Sequence, residues 1–419
     1  MGGFLRAVAS ATAATALAAS GCGSSAGSPA PPAAPTSSPA SPTSSAASPA
    51  ASPTTTPASP PPASPSRSAP SGRPPVTPEE RASALIRPSV MYVEVEWRGY
   101  LRNLSSGQFW SAEPISFLAA CTGFTVNPDG HVVTAGHCVD PGIEGASRAF
   151  FDEVIRKEQE KGNKKTKEQL DKEFTGNWVV EGEVAGTPPD MIVRVFQSVA
   201  PMVSPTDVFA SPGPMGALPK FARVVSFEPT SKGDVALLKV DGADLPSVEL
   251  APESTVEIGT PVLAIGYPGF ERPMEDRVLE PTNKDGKVSA KITSKGVPLY
   301  EISAAISQGM SGGPAVETAS AKAMGLLTFK IDNEQQFNFV APSSLIREIL
   351  ARNGVKNEQG ALDRLYRAAL EDYWAGDYPA AMRGFDAVLV RMPSHRQAWE
   401  YRAKAAERMA ARPGRPAPS

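Results

Sequence analysis

The sequence predicts a mainly β protein: a pair of antiparallel barrels with a helical insertion and a small helical segment at the C-terminal end. Three observations predict it. Short apolar runs recur between Val90 and Val340, each punctuated by Gly or Pro. A Lys- and Glu-rich stretch, Arg148 to Phe174, interrupts them. After about Asn357 the spacing changes from period 2 to helical.

Taken in chain order, residues 1–21 have one charge, Arg6, and an Ala/Val/Leu-rich stretch from Ala7 to Ala19, which reads as an export signal. The apolar part is too short for a comfortable membrane span. Ala19-Ser20-Gly21-Cys22 resembles a bacterial lipoprotein processing box, which implies lipidation of Cys22, although Ala19 stands where Leu is usual. Ordinary cleavage near Ala18-Ala19, leaving Cys22 free, is the other reading. Residues 22–76 form a Ser/Pro/Ala/Thr tract whose only charge before Arg73 is Arg67. It has almost nothing large enough to pack, so it is expected to be disordered, with polyproline II character, and to act as a tether.

The folded part is expected to begin at Thr77-Pro78-Glu79-Glu80, a helix start, followed by the alternating strand Val90 to Trp97. Further strands are expected at Gly123 to Val126, His131 to Thr134, Trp178 to Val184, Ile192 to Phe196, Val235 to Val240, Pro261 to Ile265, Gly325 to Phe329 and Phe337 to Val340. The insertion reads as helix with a solvated charged face. Residues 358–411 place Leu365, Ala369, Tyr373, Gly376-Asp377-Tyr378, Ala381, Phe385 and Pro393 as one tetratricopeptide unit would, with Gln397-Ala398-Trp399 resembling the start of another. So short an array buries little surface by itself, so it must pack on the barrels or on a protein partner. Residues 412–419 read as a disordered tail.

Composition narrows the function. The 419 residues carry a formal net charge of −3 and 7% aromatics, which gives no electrostatic or stacking case for nucleic acid. The 41% hydrophobic content supports a sizeable core.

Chemistry is concentrated in three motifs. Gly309-Met310-Ser311-Gly312-Gly313-Pro314 offers a nucleophile in a glycine-rich turn, where the N–H groups of Gly309 and Ser311 can form an oxyanion hole. Gly312 and Gly313 are expected to let the backbone approach a substrate. Thr134-Ala135-Gly136-His137-Cys138 supplies the base, with few rivals among three histidines. Asp234, at the head of the strand-like Val235-Ala236-Leu237-Leu238, is the candidate acid that orients the imidazole. Asp190 and Asp207 also lie between His137 and Ser311, but beside prolines that suggest loops. Two Cys and one neighbouring His make a poor metal site, so no structural zinc and no cofactor is expected.

The order His137, Asp234, Ser311 is that of chymotrypsin-like peptidases. Together with Asn127 to His137 and Pro261 to Pro268, these motifs resemble the trypsin-like superfamily, in particular its bacterial HtrA (DegP-like) branch, over residues 84 to 355. The resemblance implies two six-stranded barrels, a serine endopeptidase acting on peptide or protein, and a peptidase domain over residues 77–357. It also implies that Cys121 and Cys138, in an exported chain, pair to brace the histidine loop. The position six before the nucleophile, Ala305, would form the floor of the primary pocket; Gly325 and Leu327 would contribute a wall and a substrate-pairing edge. Small or medium apolar P1 residues follow. Met310 replaces the Asp that regulated digestive peptidases pair with a new N-terminus, so activation of that kind is not expected. No PDZ-like segment is evident. The competing class is an idle trypsin-like scaffold that binds partners through its cleft and helical segment, against which the intact His137, Asp234 and Ser311 set argues.

Overall fold

A computed structural model describes residues 75–197, 219–268, 280–330 and 338–411. The expected signal, Cys22, the Ser/Pro/Ala tract and the tail lie outside the described residues. Helix α1, Pro78–Ile86, starts at the expected place because Thr77 and Glu80 form a reciprocal capping box, each side chain accepting the other's backbone N–H at 3.1 Å.

The first ring is built on the long strand β1, Val90–Asn103, which pairs on one side with β2, Ile115–Thr125, and on the other with β5, Asp190–Gln197. From β2 the ladder continues through β3, His131–Thr134, β7, Val235–Val240, and β6, Lys220–Glu228, back to β5. A short β4, Trp178–Glu181, adds to the far end of β1. The second ring is a closed barrel of β8, Pro261–Gly266, β9, Thr282–Ser294, β10, Val297–Ile302, β13, Asn338–Pro342, β12, Lys322–Lys330, and β11, Pro314–Glu317. Each ring has an apolar interior: Val93, Val95, Trp97, Val132, Val195 and Leu238 in the first; Val262, Val288, Ile302, Met324, Leu327 and Val340 in the second.

Four strands fall outside the runs read from sequence: β6, β9, β10 and β11. In β9 only Val288 is buried, so its residues lack the apolar alternation that reveals a half-buried strand. The insertion is helical, as expected, but not merely solvated. Helices α2, Ala146–Glu160, and α3, Lys167–Asn177, bury Phe150, Phe151, Val154, Ile155, Leu170 and Phe174. Phe150 meets Phe117 of β2 edge-on at 4.9 Å between centroids, and its ring lies against Gly99 of β1. The charged face remains outward, where Arg148 joins Asp152 and, across to α3, Asp171.

After β13 come α4, Ser343–Arg352, and three further helices, α5, Ala361–Trp374, α6, Tyr378–Arg391, and α7, Arg396–Ala410. The last three pack on the first ring instead of standing alone. The Asp363 carboxylate accepts the Ser247 N–H at 3.0 Å and the Ser247 hydroxyl at 2.8 Å, and the Tyr366 hydroxyl donates to the Ala84 carbonyl. Leu362, Tyr366, Leu370 and Phe385 continue the first ring's core. Of the described residues, no helix is long and apolar enough to cross a membrane.

Candidate active site

The three motifs, far apart in sequence, converge. His137 sits in a single 3-10 turn, Gly136–Cys138, directly after β3. The turn needs glycine at 136, because a Cβ there would lie 1.9 Å from the Glu228 carbonyl oxygen. Cys138 is joined to Cys121 of β2 in a disulfide with Cα atoms 6.5 Å apart. A closed loop of this size stabilises by about 3 kcal/mol in the chain-entropy account. With both sulfurs committed to that bond, Cys121, His137 and Cys138 offer one ligand donor between them, which does not fit a zinc ion.

Asp234 enters β7 from a turn in which Gly233 has φ 124° and Asp234 itself φ 56°. That left-handed conformation, uncommon for a side-chain-bearing residue, aims a buried carboxylate at His137. Asp234 Oδ2 lies 2.9 Å from His137 Nδ1, and Oδ1 accepts the His137 backbone N–H at 2.8 Å. The Thr328 hydroxyl donates a third bond to Oδ2.

Ser311 follows a turn closed by the Met310 N–H on the Ser307 carbonyl at 3.0 Å. Gly309 occupies its third position at φ 90°, the conformation a type II turn requires of that residue. Among the described hydrogen bonds, the N–H groups of Gly309 and Ser311 reach no protein acceptor. The Ser311 hydroxyl donates to the Thr328 carbonyl at 2.9 Å, and no described bond joins it to His137. Thr328 therefore links acid and serine, through its hydroxyl to one and its carbonyl to the other. Sequence reasoning missed it, since nothing local distinguishes one threonine in a strand.

Several expected roles change. Gly312 and Gly313 do not clear space for a substrate: a Cβ at Gly312 would lie 2.2 Å from the Thr122 carbonyl oxygen, and one at Gly313 2.2 Å from that of Ile265. Both glycines let the serine turn pack on the protein's own strands. Leu327 is fully buried in the second core, and a Cβ at Gly325 would lie 2.2 Å from the Ala341 carbonyl oxygen. Neither faces a pocket: among the described hydrogen bonds β12 reaches the serine at Thr328, one residue beyond Leu327. Ala305 is exposed while Ala304 beside it is fully buried, so position 305 forms no buried floor. Met310 is wholly buried in the second core.

Residues 121–326 match the family described as the trypsin-like peptidase domain. Two "Probable periplasmic serine endoprotease DegP-like" proteins are among its relatives. That of Pseudomonas savastanoi pv. phaseolicola is 40% identical over 94 residues, 21% of this chain and 18% of that protein. That of Hahella chejuensis is 41% identical over 88 residues, 20% of this chain and 17% of that protein. The chain thus spans less than a fifth of the length of these relatives. A solved structure, "HtrA-type protease AlgW with decapeptide", aligns with TM-score 0.40 and 16% identity over 66% of this chain and 67% of that one.

At this site the electrostatics of the imidazole and carboxylate are opposed and complementary. Burial alone would lower the His137 pKa, but the charge and hydrogen bond of Asp234, with Asp140 adding, hold it above the ordinary 6.5. Burial pushes Asp234 the other way, yet His137 and the Thr328 hydroxyl keep its carboxylate below the usual range. The His137 side chain remains 20% exposed and that of Asp234 2%. An imidazole reachable from solvent and backed by a dry carboxylate can accept a proton and be stabilised once charged.

Proposed function

We propose that this chain is an exported serine endopeptidase in which His137, Asp234 and Ser311 form the catalytic set. The observation that carries the reading is the Asp234 carboxylate, buried, drawn into a left-handed backbone and bonded to His137 Nδ1 at 2.9 Å. Burying a carboxylate is costly unless it is paired, and an idle scaffold has no need of that arrangement. Ser311 would attack the scissile carbonyl as its proton passes to His137, exchanging the Thr328 carbonyl for the imidazole as hydrogen-bond partner. The amides of Gly309 and Ser311 would then receive the oxyanion; its collapse would break the C–N bond as His137 passes the proton to the leaving amine, and a water giving its proton to His137 would hydrolyse the acyl-enzyme to the free acid and Ser311. A small or medium apolar P1 residue is favoured because Ser303 to Gln308, leading to the serine, carries no carboxylate to balance a cation.

A peptide library digested by the full chain tests this reading. Cleavage is expected after Val, Ala or Leu in preference to Arg or Lys, and every site should vanish with Ser311→Ala. A library cut mainly after Arg would overturn the P1 assignment, and cuts persisting in the variant would overturn the catalytic one.

The pH dependence follows from the sign of the His137 shift. His137 must be neutral to accept the serine proton, so activity should be low on the acid side and rise through the His137 pKa. That pKa is raised, so the midpoint should lie above 6.5. A kcat/KM profile flat from about pH 5 to 8 would contradict His137 as the base.

We place the chain at the outer face of a membrane through lipidated Cys22, with residues 23–76 as the tether. Acyl chains contribute about 0.8 kcal/mol per buried CH₂, whereas the Ser/Pro/Ala tract has no apolar face of its own. Cys22→Ala should move the protein from the membrane pellet to the soluble fraction or medium. Retention in the pellet would refute the lipid anchor. A protein partner of the helical segment would meet the face left open by its docking, where Val390 and Trp399 are exposed.

A further inference from the structure

We propose that Thr122, on β2 of the first ring, is a positioning residue that fixes the nucleophile turn of the second; this rests on the peptidase reading above. Thr122 is fully buried and uses every polar atom it has. Its N–H donates to the Ser311 carbonyl at 2.8 Å, and its hydroxyl donates to the Gly309 carbonyl at 2.8 Å. The hydroxyl oxygen also accepts the Tyr267 N–H at 2.9 Å, and the Thr122 carbonyl accepts the Thr134 hydroxyl at 2.7 Å.

Two of these bonds grip the serine turn at Gly309 and Ser311, on either side of Met310. Between the gripped carbonyls lies the peptide that bears the Ser311 N–H. The Gly309–Met310 peptide is held at both ends, by Thr122 at its oxygen and by Ser307 at its nitrogen. The direction of the Ser311 amide and the placement of its Oγ thus depend on a side chain from the other ring. The same residue is tied to the base: Cys121, its neighbour, is bonded to Cys138 beside His137, and Thr134 lies three residues before His137.

A hydroxyl is required rather than bulk. Valine has nearly the same shape but cannot donate to Gly309 or accept from Tyr267, so the turn would lose its hold while the packing of the γ-methyl against Gly313 remained. Because an oxyanion donor acts on the transition state, its misplacement lowers kcat and leaves ground-state binding nearly alone.

The test compares Thr122→Val and Thr122→Ser in the full chain, using a peptide cleaved by the wild type. Thr122→Val should lower kcat about 10- to 100-fold with KM within about twofold, and the pH midpoint should not move because the imidazole and its carboxylate are untouched. Thr122→Ser should return kcat to within about threefold of wild type, a rescue that general loss of packing would not produce. If circular dichroism shows the valine variant unfolded, Thr122→Ala against Thr122→Ser makes the same comparison. A valine variant with wild-type kcat, or one whose loss lies wholly in KM, overturns the proposal while leaving the peptidase reading intact. A wild-type chain without hydrolysis refutes that reading and takes this inference with it.

Discussion

Ser311→Ala is expected to lower turnover by about 10⁶-fold, to the level at which removing any further member of the set costs little more, because such residues act as a unit. The fold should survive. The Ser311 hydroxyl makes one described hydrogen bond, to the Thr328 carbonyl, in a half-buried position, so its loss costs about 1 kcal/mol of stability. Paired measurements of kcat and thermal melting on the purified full chain separate the two effects. Fluorophosphonate labelling adds a direct readout, present in the wild type and absent in the variant. Hydrolysis unchanged in Ser311→Ala would end the assignment of this serine as nucleophile.

Asp234→Asn is expected to lower kcat by about 10⁴-fold while keeping nearly the same shape. The carboxylate accepts from His137 Nδ1, from the His137 backbone N–H and from the Thr328 hydroxyl. An amide presents only one oxygen to these donors, and its NH₂ group placed toward Nδ1 would enforce the imidazole tautomer that cannot accept the serine proton. The same variant removes the charge that raises the His137 pKa, so the residual activity should rise at lower pH than in the wild type. A variant within tenfold of wild-type kcat, with an unmoved midpoint, would show that another group orients the base.

The catalytic candidates were legible because their signals are local. Only glycine fits at 136, against the Glu228 carbonyl, and only glycine readily takes φ 90° at 309. These constraints print themselves beside His137 and Ser311. The capping box at Thr77 is local in the same way, since its partners lie three residues apart. Strand β9 was hidden for the opposite reason: with one buried residue, its place in the barrel is secured by backbone pairing to β8 and β10, which side-chain pattern does not encode. The pocket assignment failed on register. Side chains along β12 differ in environment from one position to the next, and the strand reaches the serine at Thr328, beyond the buried Leu327.

The sequence by itself determined which residue types could carry the chemistry, their order along the chain, where the first helix begins, and that the last segment is helical. These depend on neighbours within a few positions. The tertiary structure alone decided that Thr328 joins the acid to the serine, that Thr122 holds the serine turn from the other ring, and that α5 to α7 seat on the first ring through Asp363 and Ser247. Each of these is a hydrogen bond between groups more than ninety positions apart, apart from the Thr328–Ser311 contact across the β11–β12 hairpin, or seventeen positions. Threonine, serine and aspartate are common and chemically versatile, so only the closing of the rings selects which of them meet.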